Sequence, residues 1–455
     1  MKKTTHQKAI ILAFITVCFF ALNNAFAQNI VTNSVPVCEM PVSTEVNKMY
    51  IPPSDFVKER LASRGTSCSN IIVTYNNFPT NPSNPAEPGP EQVAFQFAVD
   101  IWETLLDSPV PIRIDANWTN LGAGVLGSAA PAFYAEVPGG VGNTLYAGAL
   151  AESIVGFELN GFNSIDIVCN FNSQFSTWYF GTDGNPAFFE IDFVSVVLHE
   201  LGHGLGVAGF GIELNDMGYI RRDASGQTVS ASSSFPSIWD IFIDTEDIFA
   251  NPVSILDETQ FPDPSAILLA QFESDNMTCN SPIAVAQNGG VPPATQGGIE
   301  TFPGSGVFEF RPGSSYSHWD EATFNGTPTA LMTPFLSNGE AIHDPGNVTL
   351  GFMEDMGWTL CQGSLSTEDF SVSDVKISPN PFNSQIDISI TNGFNDSYKI
   401  ELFDINGRRV ISQTKSATNG TVELTNLDAL ENALYFMTIT NQQSNKSLTK
   451  KLIKN

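Results

Sequence analysis

The chain has five histidines in 455 residues, and three of them can be assembled around one metal ion. His199 and His203 stand four apart in His199-Glu200-Leu201-Gly202-His203, at the end of the apolar run Phe193-Val194-Ser195-Val196-Val197-Leu198. Positions i and i+4 share one helix face, so both imidazoles can ligate a single zinc ion. Glu200, beside them, can reach a water on that ion without being a ligand itself. The chemistry this spacing serves is hydrolysis with Glu200 as general base.

A third ligand has to come from elsewhere in the chain. His318 stands in Ser315-Tyr316-Ser317-His318-Trp319-Asp320, shortly before Leu331-Met332-Thr333-Pro334, and His343 stands in Ala341-Ile342-His343-Asp344. A carboxylate would serve as well, and Glu213, Asp216 and Asp240 lie downstream without a helical pattern that singles one out.

Residues 199–210 and 316–334 resemble the leishmanolysin-like branch of the metzincins. There an HExxHxxG helix is followed by a long insertion, and the third histidine arrives in a His-Trp context just before the Met-turn. His199, Glu200, His203, Gly206, His318-Trp319 and Met332 match that order. Compact metzincins take their third histidine six residues after the second, where Gly209 stands here. The resemblance implies His199, His203 and His318 as metal ligands, since His343 follows Met332. It implies Met332 as the floor under the ion, with Thr333 to Leu336 along one wall of the primed-side pocket. The implied fold is α+β: a mixed sheet, a zinc-binding helix and a Met-turn. The implied activity is a secreted zinc endopeptidase whose protein or peptide substrate adds a strand to an exposed sheet edge. The competing reading is a non-catalytic secreted surface or adhesive protein with a structural zinc site, in which Glu200 would be superfluous.

The elements that must position these residues leave their own pattern. Asp192 is placed to cap the zinc helix, and Gly206, Gly209 and Gly211 end it. Asn70–Tyr75 reads as a strand, Glu91–Leu106 has helical apolar spacing, and 110–114 and 164–168 read as further strands. A short helix is expected at Ser54–Ala62 and another at Val348–Met356; residues 211–315 read only as an insertion.

Residues 1–27 read as a secretory signal, with Lys2, Lys3 and Lys8 before the apolar run Ala9–Leu22 and Ala25-Phe26-Ala27 as the cleavage site. Residues 28–70 form an N-terminal segment in the place of a propeptide, 71–362 the catalytic domain and 363–372 a linker. No segment reads as a membrane span. The net charge of −28 is concentrated in the body, where 28–370 hold 8 basic against 40 acidic residues. Such a surface repels nucleic acid and favours cations, which makes calcium a candidate second ion.

Beyond the linker, residues 373–455 alternate as strands (Gln385–Ile390, Lys399–Phe403) with Asn406-Gly407 and Asn419-Gly420 as turns, the pattern of a small all-β sandwich. Ile377-Ser378-Pro379-Asn380-Pro381, Leu402-Phe403-Asp404, Gly407-Arg408, Leu434-Tyr435-Phe436 and the basic end Lys450–Lys454 resemble the C-terminal sorting domain of the Bacteroidetes type IX secretion system. That resemblance implies passage through the Sec pathway and then the outer membrane, with the secretion machinery as partner. Five cysteines follow the signal, an odd number for an exported chain. Cys169 falls in an expected strand as a buried thiol, and Cys38 could cap the zinc as a latency thiolate or join an ordinary disulfide.

Overall fold

The computed structural model describes residues 30–31, 38–63, 67–223, 227, 234–301, 305–361, 375–390, 397–404, 408–417, 420–425, 427–442 and 447–454. The signal, the linker and the turn residues Asn406, Gly407 and Asn419 lie outside these. The chain divides into two compact units, residues 1–365 and 366–455.

The first unit is α+β, built on a five-stranded mixed sheet. Its strands are β1 (Cys38–Pro41), β2 (Ile71–Asn76), β3 (Ile112–Thr119), β4 (Val125–Pro131) and β5 (Ile167–Asn172), in the order β1-β4-β5-β3-β2. β3 runs parallel to both β2 and β5, while β4 is antiparallel to β5 and β1 is antiparallel to β4. Two long helices pack on one another beside this sheet. Helix α1 (Pro90–Leu105) starts on a proline in its first turn, where the missing N–H does no harm. It buries Ala94, Phe95, Ala98, Val99, Ile101, Trp102 and Leu105 at helical spacing, and Trp102 Nε1 donates to the Leu198 carbonyl at 3.2 Å. That carbonyl belongs to helix α3 (Phe193–Gly204), which carries the HExxH run and is buried along its whole length.

The sheet edge at β4 is not exposed, contrary to the expectation for a substrate-binding edge. The chain's own strand β1 takes it, in register Cys38↔Ala129 and Met40↔Gly127. The same segment continues along the unit: Val46 bridges Asn338, and Tyr50–Ile51 pairs in parallel with Ala341–Ile342. A disulfide joins Cys68 to Cys361, 293 residues apart, and Cys38, Cys169 and Cys279 are buried free thiols.

Residues 211–315 add the helices Ile238–Ile241, Ala266–Phe272 and Pro282–Gln287 and a three-stranded sheet. Trp239, Phe272 and Met277 from this insertion join the same hydrophobic core as Trp102, Phe171 and Met332. The last helix, Asn347–Met356, ends at Gly357 with φ 118°.

The second unit is a small all-β domain with a three-stranded and a four-stranded antiparallel sheet. Ile386, Ile388 and Ile390 from one sheet and Ile400, Leu402, Met437 and Ile439 from the other share one apolar cluster. Among the described residues no helix is long and apolar enough to cross a membrane.

Candidate metal centre

Helix α3 begins where Asp192 caps it, its carboxylate accepting from the Ser195 N–H at 2.8 Å. It ends at Gly204, slightly before the expected stop, and Gly206 follows at φ 114°. The chain turns back so that the Val207 carbonyl meets His203 Nδ1 at 2.7 Å, while the Leu331 carbonyl meets His199 Nδ1 at 2.7 Å. Both rings are thereby held as the tautomer with Nδ1 protonated and the Nε2 lone pair free.

His318 arrives on an irregular, turning segment pinned on both sides. The Gln296 N–H donates to the His318 carbonyl at 2.9 Å, and the Trp319 N–H donates to the Met332 carbonyl at 2.9 Å. Its Nε2 lies 3.1 Å from that of His203 and 3.3 Å from that of His199, and the first two histidines are 2.9 Å apart at Nε2. All three rings have no exposed surface. Burial holds His199 down at about 4, and His203 and His318 well below the ordinary imidazole value, so all three are neutral.

With His199 and His203 held protonated at Nδ1, their two Nε2 lone pairs stand 2.9 Å apart beside His318 Nε2, an arrangement that is repulsive unless a cation sits between them. Tetrahedral zinc with Zn–N near 2.1 Å sets its ligand nitrogens roughly 3.4 Å apart, so the residues present fit that ion. Among the described residues, these three form the only histidine group able to hold a metal, and no cysteine or carboxylate joins them.

Met332 packs against helix α3: a Cβ built at Gly202, between His199 and His203, would fall 2.7 Å from Met332 Sδ, so the glycine leaves room for the methionine. Glu200 points towards the sheet edge, fully buried, with neither carboxylate oxygen hydrogen-bonded. Burial raises it well above the ordinary carboxylate range; the backbone N–H groups of Met40 and Ala129, which face it, act the other way. The strand behind it has to be bare: a Cβ at Gly127 would lie 3.2 Å from Glu200 Cγ.

The other candidate ligands have different work. His343 is buried, and its Nε2 meets Asp192 Oδ2 at 2.8 Å. Asp240 is buried and holds Tyr316, Ser237 and the Phe210 N–H. Glu213 and Asp216 lie in an outlying hairpin, half-buried and exposed. Cys38 stands beside the centre, its thiol against Ser317 and Glu200, but outside the ligand group; burial pushes it up and keeps it neutral.

A family model for the secretion system C-terminal sorting domain matches residues 376–455. The second unit is thus a type IX sorting domain, and the chain is exported through the outer membrane to the cell surface or beyond. Among solved structures, the chain is similar to dimeric latent PorU from Porphyromonas gingivalis, at 21% identity over 18% of this chain and 9% of that one, with a TM-score of 0.16. It is similar to PorZ, a surface component of the type IX secretion system of the same organism, at 11% identity over 54% of this chain and 38% of that one, with a TM-score of 0.16. A DUF3244 protein with an immunoglobulin-like β-sandwich from Bacteroides vulgatus matches at 13% identity over 18% of this chain and 85% of that one, with a TM-score of 0.16. A comparison with curated proteins finds no match.

Proposed function

We propose that the chain is an exported zinc endopeptidase of metzincin type, with His199, His203 and His318 as ligands, Glu200 as general base and Met332 as the floor of the centre. The observation that carries this reading is the convergence of three Nε2 atoms beside a buried carboxylate that no other side chain pairs with. A purely structural zinc site would take a fourth protein ligand, and none joins the group among the described residues.

Bound zinc would supply Lewis acidity, polarising a carbonyl and acidifying water. Glu200 takes the proton of the attacking water and passes it to the leaving amine. The β4 edge supplies backbone donors and acceptors to an extended peptide, which would lie antiparallel to β4, where β1 now lies.

This reading makes the segment from Cys38 to the early fifties part of a propeptide that covers the β4 edge. The Cys68–Cys361 disulfide and the place of Val57 in the main core support a boundary before residue 57 rather than at residue 70. A maturing cut would fall between Pro41 and Val57.

The test is casein digestion by the purified, matured chain, with and without a zinc chelator, beside Glu200→Gln. Digestion lost under chelation and in the variant, with zinc content unchanged in the variant, supports the reading. Digestion that continues in Glu200→Gln refutes the general-base assignment.

A further inference from the structure

Away from the histidines, a second cluster of acidic side chains converges with oxygens left over. Helix α2 (Gly148–Val155) carries Glu152, the loop after it carries Glu158, and Asp166 stands just ahead of β5. One carboxylate oxygen from each lies within 4.8 Å of the others. Glu152 is 1% exposed and Asp166 0%.

The fold satisfies only one oxygen of each buried pair. Glu152 Oε1 accepts from the Leu159 N–H at 2.6 Å, and Asp166 Oδ2 from the Arg113 N–H at 2.8 Å. Glu152 Oε2, Asp166 Oδ1 and Glu158 Oε2 are buried without a hydrogen-bond partner. So is Asn160 Oδ1 in the same loop, whose amide nitrogen donates to the Ile165 carbonyl at 3.0 Å. Four orphan acceptors within one short stretch are far from the rule that buried polar atoms find partners. A positive group does stand nearby, with Arg113 Nε 3.7 Å from Glu158 Oε1. One guanidinium faces three carboxyl groups, and burial raises Glu152 to about 8 and Asp166 to about 6, so the pair holds a proton that a cation would displace.

We propose that Glu152, Glu158 and Asp166, with Asn160, bind a hard divalent cation, and that the ion is calcium. Every donor is an oxygen, carboxylate or amide, which selects a hard cation over zinc. The donors come from a helix end, an irregular loop and a strand start, an arrangement that tolerates the high and variable coordination of calcium better than the strict octahedron of magnesium. A divalent charge balances the site, and the acidic body of the protein raises the local cation concentration. A proton shared between Glu152 and Asp166 is the competing explanation, but it would leave Glu158 Oε2 and Asn160 Oδ1 orphaned.

The ion would brace the zinc helix from behind. A Cβ at Gly206, three residues past His203, would lie 3.2 Å from the Cβ of Ala147 and 3.9 Å from Leu150 Cδ2, so α2 backs the turn that ends the zinc helix. Fixing the loop after α2 fixes that backing.

The experiment uses the full chain, zinc-loaded and freed of calcium, titrated with calcium chloride by calorimetry and followed by thermal unfolding. One calcium site is expected, with Tm rising on the order of 5 °C once calcium exceeds Kd a hundredfold, and a weaker response to magnesium. Asp166→Asn should abolish both effects while zinc content stays stoichiometric. Should that variant fail to fold, Glu158→Gln, at a half-buried position, should weaken calcium binding at least tenfold. The proposal is overturned by a zinc-loaded chain that gives no calcium heat and no Tm shift, or by calcium binding unchanged in the folded variants. Neither readout depends on peptidase activity, so the two readings stand or fall separately.

Discussion

Tyr316 Oη donates to Asp240 Oδ1 across 2.8 Å, joining two fully buried residues 76 positions apart. The same Asp240 oxygen accepts from the Phe210 N–H at 3.1 Å, and the Gly209 N–H donates to Ser317 Oγ at 3.0 Å. The turn after His203 and the segment that ends in His318 are therefore locked to each other through one carboxylate. Tyr316 is a positioning residue: Tyr316→Phe should weaken zinc binding roughly tenfold, as loss of outer partners does at such centres. A chelator competition measures this, with Tm recorded alongside. A folded variant with lower Tm and undiminished zinc affinity would reduce the contact to a merely structural one.

Asp240 also gives the unit a pH dependence whose sign can be worked out. Desolvation raises its pKa from 3.8 to about 6, against the hydrogen bonds from Ser237, Tyr316 and Phe210 that favour its charge. Arg222, Tyr134 and Tyr316 face it. The folded state holds the proton more tightly than the unfolded one. Its contribution is therefore full below about pH 4 and lost as pH rises through about 6, a change of about 3 kcal/mol for two pKa units. Asp240→Asn mimics the neutral form, so the Tm deficit of the variant should shrink between pH 4.5 and 7.5. A deficit that stays constant across that window contradicts the assignment.

His343 and Asp192 make a second buried pair, at 2.8 Å, over the start of helix α3. Asp192 Oδ2 also accepts from Ser195 N and Oγ, and Ser195 Oγ accepts from the Ile342 N–H at 2.6 Å. His343→Ala should leave zinc stoichiometric yet cost about 2–4 kcal/mol of stability, because it strips a partner from a buried carboxylate. Zinc analysis and denaturant unfolding check both halves. Loss of zinc from a folded variant would return His343 to the ligand set.

What was legible in the sequence was local. The i, i+4 spacing of His199 and His203, the Asp192 cap and the periodicity of Pro90–Leu105 each follow from one turn or one face of a helix. Strand β4 left no such signal. Gly127-Ser128-Ala129-Ala130 lacks both alternation and β-branched residues, because it must be thin where Glu200 and the Phe171 ring press against it. The strand expected at 164–168 is shifted to Ile167–Asn172. The Cys68–Cys361 bond and the docking of Cys38–Pro41 on β4 join residues far apart in sequence, and composition says nothing about such partners.

The docked strand leads to the last prediction. Cys38 and Met40 are 4% and 2% exposed and point inward, while Glu39 between them is exposed, the alternation of a strand lying against Glu200. Glu200 has no access to solvent while that strand is in place. Met40→Asp would set a second carboxylate against Glu200 in a buried place, which like-charge repulsion and desolvation both oppose. The strand should then leave the β4 edge, and cleavage of a fluorogenic peptide by the uncut chain should rise at least tenfold over wild type. Limited proteolysis should find the stretch Thr44–Val46, already exposed, cut faster in the variant. If instead the variant unfolds at lower temperature and gains no activity, β1 belongs to the permanent sheet. The substrate edge would then have to be sought elsewhere.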